Sequence, residues 1–139
     1  DGRGGDSEGE ALTMTIEAPP RKPRILIIED EPAYALEETL VEAGFEIAGV
    51  AGRLETALAL IKIGGCDAAI VDANLAGVSA GPAALALTDL GIPFVVVSGC
   101  SREQHPVAFS GGLFVQKPLR AEQLVQALCS VLPAQGIHA

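Results

Sequence analysis

The chain has 139 residues, enough for one domain with a genuine core, and its apolar content is aliphatic: no Trp, one Tyr and four Phe. A net charge of −9 speaks against a partner held through phosphates, such as DNA, which needs a basic face. Cys66, Cys100 and Cys129 are far apart with no C-x-x-C pair, which fits reduced thiols better than a zinc site or disulfide framework, and no apolar run has the length of a membrane span or the flanks of a signal peptide.

Residues 1–23 are polar, Gly-rich and then Pro-rich, and read as a flexible tail or linker. From Arg24 the pattern alternates. Arg24-Ile25-Leu26-Ile27-Ile28 is a first strand that delivers Glu29-Asp30-Glu31. Pro32 suits the first turn of a helix. Ala33, Leu36, Leu40 and Ala43 then recur at helical spacing up to Gly44. Phe45–Val50 alternates loosely, as a second strand. Leu54, Ala57, Leu58 and Ile61 mark a second helix that ends at Gly64-Gly65. Asp67–Asp72 is the third strand, Pro82–Leu90 a helix, Ile92–Ser98 the fourth strand and Leu113–Gln116 a short fifth. Leu119–Leu132 is the last helix, with Leu124, Val125, Leu128 and Val131 on one face. Between Cys100 and Gly112 the proline and paired glycines leave room only for a short or distorted helix. Residues 24–133 thus form one folded domain, with 134–139 a short tail.

Strands alternating with helices at this spacing imply βαβ units and a parallel sheet. The expected fold is α/β: a flavodoxin-like, doubly wound, five-stranded parallel sheet in the order 2-1-3-4-5 with helices on both faces. In such a sheet the carboxyl ends of the strands share one edge. Strand one ends in Glu29-Asp30, strand three in Asp72, strand four in Ser98, and strand five is followed by Lys117-Pro118. Three crowded carboxylates repel, so one holds a proton unless a cation intervenes. An oxygen-rich acidic cluster suits a hard divalent cation, Mg²⁺ when phosphate is the other ligand. Asp72 can act as a nucleophile towards phosphorus, Lys117 can neutralise phosphoryl oxygens and Ser98 can donate a hydroxyl.

With Ile27-Ile28-Glu29-Asp30-Glu31, Val71-Asp72-Ala73-Asn74-Leu75, Val97-Ser98-Gly99 and Gln116-Lys117-Pro118-Leu119 in that order, the chain resembles a response-regulator receiver domain of two-component signalling over residues 24 to 132. The resemblance implies a phosphoacceptor, Asp72, and an Mg²⁺ site made by Asp30 directly, Glu29 through water, Asp72 and the backbone carbonyl of Asn74. It implies a switch hydroxyl on Ser98, a phosphate-contacting Lys117, a switch aromatic at Phe114 and a Lys117–Pro118 bond that is often cis. The implied partner is a histidine kinase or histidine phosphotransfer protein in the cytoplasm, with no direct nucleic-acid or membrane contact; a homodimer is compatible with it. Such a domain is a signalling receiver, not an enzyme in its own right, although it assists its own phosphorylation and dephosphorylation.

The chain departs from the family pattern at three places. Glu29 is longer than the Asp often found there. Leu75-Ala76-Gly77 lacks the proline common after the acceptor, which leaves that loop freer. Ser98 and Lys117 are only nineteen positions apart, which compresses the fourth helix. Two rivals follow from the same residues. A haloacid-dehalogenase-type phosphatase also uses a strand-end Asp but needs a second Asp two residues on, where this chain has Asn74. A receiver-like interaction module that is never phosphorylated would not need the intact acidic set.

Overall fold

A computed structural model describes residues 21–31, 33–99 and 106–133. The expectations for residues 1–20, Pro32, Cys100 to His105 and the 134–139 tail lie outside the described residues. The elements run β1 (Arg24–Ile28), α1 (Tyr34–Glu42), β2 (Glu46–Ala51), α2 (Leu54–Ile63), β3 (Ala68–Asp72), β4 (Asn74–Leu75), β5 (Val78–Ser79), α3 (Gly81–Asp89), β6 (Phe94–Ser98), a 3₁₀ turn (Val107–Phe109), β7 (Leu113–Gln116) and α4 (Ala121–Val131). The main sheet has five strands in the order β2-β1-β3-β6-β7, every neighbour parallel. With the small hairpin β4–β5 set aside, this is the expected 2-1-3-4-5 plan. Between Ser98 and Lys117 the described residues contain one 3₁₀ turn. No helix among the described residues is long and apolar enough to cross a membrane.

The central strands are apolar on both sides because both sides are covered. Ile25, Ile27, Ala68, Ile70, Val95 and Val97 pack with Leu40 of α1 and with Leu124, Ala127 and Leu128 of α4. Leu26, Ile28, Ala69, Val71, Phe94 and Val96 pack with Ala57 and Ile61 of α2 and with Ala83, Ala84 and Leu87 of α3. Each buried Ile or Leu here stabilises the fold by about 1.5–3 kcal/mol. Small alanines on α3 let it lie close to the sheet. Gly64 ends α2 at a φ of 84°, a conformation that costs glycine no Cβ clash. The loose alternation of Phe45–Val50 has a physical cause. The β1–β2 register slips by one between Ile25↔Ile47 and Leu26↔Gly49, so Ala48 is the extra residue of a bulge.

The segment after Asp72 differs from the freer loop expected of a receiver without proline there. Asn74 pairs with Ser79 and Leu75 with Val78 in a two-residue antiparallel hairpin. Its central residues, Ala76 and Gly77, both have positive φ, at 52° and 92°, the pattern of a type I′ turn. Left-handed backbone costs an alanine about 1–2 kcal/mol, and local bonds offset this cost. The Asn74 Oδ1 accepts the Gly77 N–H at 2.6 Å, and Leu75 is buried in the core.

The return from β6 to β7 is short, and glycine makes it possible. A Cβ on Gly112 would stand 2.5 Å from the Phe94 ring and 2.9 Å from Val96. Both side chains are buried and cannot swing away. The chain therefore comes flush against β6 and enters β7 within a few residues of the 3₁₀ turn. We predict that Gly112→Ala destabilises the domain by about 1–3 kcal/mol through overpacking, read as a lower urea midpoint at unchanged slope.

Candidate functional site

Register carries the site. Ile28 lies beside Val71, Asp72 beside Val97, and Ser98 beside Gln116, so four adjacent strands end at nearly the same level. Glu29-Asp30 and Lys117 follow immediately. Strand side chains alternate between faces. Glu29, Asp72 and Lys117 have the parity of Ile27, Ile70 and Val115, which face α1 and α4, whereas Ser98 and Phe114 have the parity of Val96 on the other side.

Asp72 is 5% exposed, and Lys117 covers it. The Lys117 Nζ donates to the Asp72 Oδ2 at 3.1 Å, with the lysine side chain 45% exposed. Two strand spacings separate β3 from β7, about 10 Å, so the lysine must reach across β6 to make this bond. The other carboxylate oxygen, Oδ1, accepts the Asn74 N–H at 3.0 Å. Ser98 is 4% exposed, at the end of β6, and its carbonyl accepts the Lys117 N–H at 2.7 Å. The bond between Lys117 and Pro118 is cis, as the family resemblance implies. Together Asp30, Glu31, Asp72, Asn74, Ser98 and Lys117 line an open cleft of about 370 Å³, with Ala76 and Gly99 at its margin. Glu29 lies beside it, in a larger groove between α1 and the start of α4 that Lys117 also borders. Phe114 is half-buried below the cleft, next to Val96 in the ladder and packed on the α2/α3 core.

Carboxylate atoms of Glu29, Asp30 and Asp72 lie within 4.8 Å of one another. Crowding has the expected electrostatic result. Burial, aided by the charge of Asp72 and a hydrogen bond to its carboxylate, pushes Glu29 up to about 7, against the opposing pull of the Glu31 N–H and Lys117. Burial pulls Lys117 down, but its hydrogen bond to Asp72 and the charges of Asp72, Glu29 and Glu31 outweigh that and raise it. The ammonium is thus held charged over the Asp72 carboxylate. This donor set fits a small hard cation: three carboxylates, all oxygen, with too much negative charge for one lysine to neutralise.

All the sequence-derived site residues meet at this edge except Phe114, which lies one layer beneath it. Glu31 was not singled out from the sequence. It lines the cleft, and its backbone N–H donates to the Glu29 Oε2 at 3.2 Å. Its place directly after the acidic pair was the available signal. Ala76 was missed because its position depends on the hairpin.

Comparison with solved structures agrees with this geometry. The chain is 36% identical to SdrG from Sphingomonas melonis Fr1, over 79% of this chain and 96% of that one, with a TM-score of 0.67. It is 37% identical, at the same coverage and a TM-score of 0.65, to SdrG from Pseudomonas melonis Fr1 in a BeF3-activated conformation. It is 26% identical to a CheY-like response regulator receiver domain from Methylobacillus flagellatus, over 79% and 98% of the two chains, with a TM-score of 0.67. No protein-family model and no curated protein matches the sequence. Fold, site and relatives together define the class: the chain belongs to the response-regulator receiver domains.

Glu29 also makes stability depend on pH. Its folded value, about 7, lies above the 4.5 of a free side chain. Its contribution is therefore complete below about pH 4.5 and is lost as pH rises through 7. Without divalent cations, the thermal midpoint should fall between pH 5.5 and 8, and Glu29→Gln should flatten that fall. An equal fall in wild type and variant would show that Glu29 is not the group responsible.

Proposed function

We propose that the domain accepts a phosphoryl group on Asp72 from the phosphohistidine of a kinase or phosphotransfer protein, and that it works as a signalling receiver, not as an enzyme turning over a substrate. The observation that carries this reading is the buried Asp72 carboxylate, paired at 3.1 Å with Lys117 inside a cluster of three carboxylates. An ordinary strand-end aspartate faces water. This one is desolvated, crowded by like charge and held by a long-reaching lysine, an arrangement that costs stability and clusters at functional sites.

In this reading Asp30, Glu29, Asp72 and the Asn74 carbonyl would hold Mg²⁺. The ion would supply charge neutralisation for the incoming phosphoryl oxygens. An Asp72 carboxylate oxygen forms the new bond to phosphorus as the bond to the imidazole nitrogen breaks, and the electron pair leaves with the imidazole. Lys117 gives up part of its hydrogen bond to Asp72 and meets a phosphoryl oxygen instead. Ser98 offers its hydroxyl to another, and Phe114, beneath it on the same side of the sheet, is the aromatic whose packing would respond. The BeF3-activated form of a 37% identical relative supports this use of the site. A dehalogenase-type phosphatase would need an acid/base two residues after the nucleophile. Here that residue is an amide whose oxygen is engaged by Gly77.

The test is incubation with Mg²⁺ and a small acyl-phosphate donor, followed by intact mass. One phosphoryl adduct is expected, absent without Mg²⁺ and absent in Asp72→Asn. Lys117→Ala should form it on the order of 10²-fold more slowly, the usual cost of removing one charge-stabilising donor. No adduct from either the small donor or a cognate kinase would sink the proposal.

A further inference from the structure

Asn74 is exposed at the rim of the acceptor cleft, where its amide could meet a reacting group directly. Its bonds point to another role. The side-chain oxygen is turned away into the hairpin and accepts the Gly77 N–H at 2.6 Å. The backbone N–H donates to the Asp72 Oδ1 at 3.0 Å. The ladder then places the carbonyl. Ala80 N–H donates to the Ala73 carbonyl at 3.0 Å, so Ala73 and Ala80 form a hydrogen-bonded position, and Asn74 and Ser79, one step along, form the other kind. A residue in such a position directs both its N–H and its C=O away from its partner strand. Since the Asn74 N–H meets Asp72, its carbonyl shares that edge and faces the acceptor.

The hairpin is also clamped at its base and strained at its tip. Leu75 is buried in the core, and the Ala73 N–H donates to the Val97 carbonyl at 3.0 Å, which ties the base to β6. At the tip Ala76 holds a φ of 52°, unfavourable for any residue with a Cβ. Among the described residues, the side-chain bond across the turn is that of Asn74. Without it, the strain at Ala76 would be released by unwinding the turn, and the Asn74 backbone would move with it.

We propose that Asn74 is a positioning residue: its side chain locks the strained Ala76-Gly77 turn, and through that turn it holds the backbone carbonyl of Asn74 against Asp72 at the acceptor site. This rests on the reading of Asp72 as phosphoacceptor. It separates two roles that a rim amide could have, contact with the phosphoryl group or support of the loop, and it assigns the second.

The distinguishing experiment is rescue from a second site. Asn74→Ala removes the lock. Adding Ala76→Gly removes the strain that the lock opposes and leaves Gly-Gly, a pair suited to this turn type. The measurements are the Mg²⁺ dissociation constant, from titration with Mg²⁺ alone followed by backbone amide shifts, and the rate of adduct formation with the acyl-phosphate donor. Asn74→Ala should weaken Mg²⁺ binding by about tenfold, as losses of supporting groups around a metal site do, and should slow phosphorylation. The double variant should regain most of both. Single and double variants equally impaired, both folded by thermal melting, would overturn the proposal in favour of direct contact. Wild-type behaviour of Asn74→Ala would overturn it as well, while leaving Asp72 as acceptor. A wild-type protein that neither binds Mg²⁺ nor takes the phosphoryl group would overturn the function reading itself.

Discussion

The register of four parallel strands is the constraint on which this molecule depends. Ile28, Asp72, Ser98 and Gln116 end their strands side by side, and each strand carries a polar residue at its end or just beyond it. A slip of one residue in any strand would turn its terminal side chain to the opposite face. Asp72 would then lose Lys117, and the acidic cluster would come apart. In β1, β3 and β6 the register is secured by the apolar residues behind it, which are buried on both faces and leave no alternative alignment that keeps the core dry. Core and site are thus one problem: the packing of Ile27, Ile70 and Val97 determines where three carboxylates meet.

Much of this was legible in the sequence because the signals were local and strong. Apolar runs that stop at a carboxylate, a serine or a Lys-Pro pair mark strand ends without help from tertiary structure, and β1 and β7 fall where their runs predict. Gly44 and Gly64-Gly65 mark helix ends by backbone conformation alone. The site followed because parallel strands bring like ends together. What the sequence hid were the effects of neighbours. Ala48 is an ordinary alanine in the sequence; only pairing with β1 makes it a bulge. Ala76-Gly77 is not among the usual pairs for a tight hairpin, so the segment read as a loose loop until the buried Leu75 and the Asn74 amide drew it closed. Glu31 stands directly after the acidic pair, but only the fold brings it to the cleft.

The short span from Ser98 to Lys117 is reconciled with a full five-stranded sheet by unequal use of space. Gly112 takes the place of a side chain against the buried Phe94, and Ala108 of the 3₁₀ turn sits over Gly81 at the start of α3. The small residues of α3 and the glycines ahead of β7 are complementary. Among the described residues, the stretch ahead of β7 thus lies close against Phe94 and the start of α3, and Lys117 still arrives beside Asp72.

Among the described residues β7 is an edge strand, hydrogen-bonded to the sheet through β6 alone. A central strand moves only by breaking two ladders; β7 can slide or tilt by loosening one, and it is four residues long. Mechanically it is the most compliant strand on the site side of the sheet, while β3, clamped by β1 and β6, is among the stiffest. Asp72 is therefore mounted on the rigid part of the sheet, and Lys117 and Phe114 on the part that yields. A change of charge at Asp72 would be absorbed at the rim of the domain, where another molecule can feel it, and the centre would stay as it is.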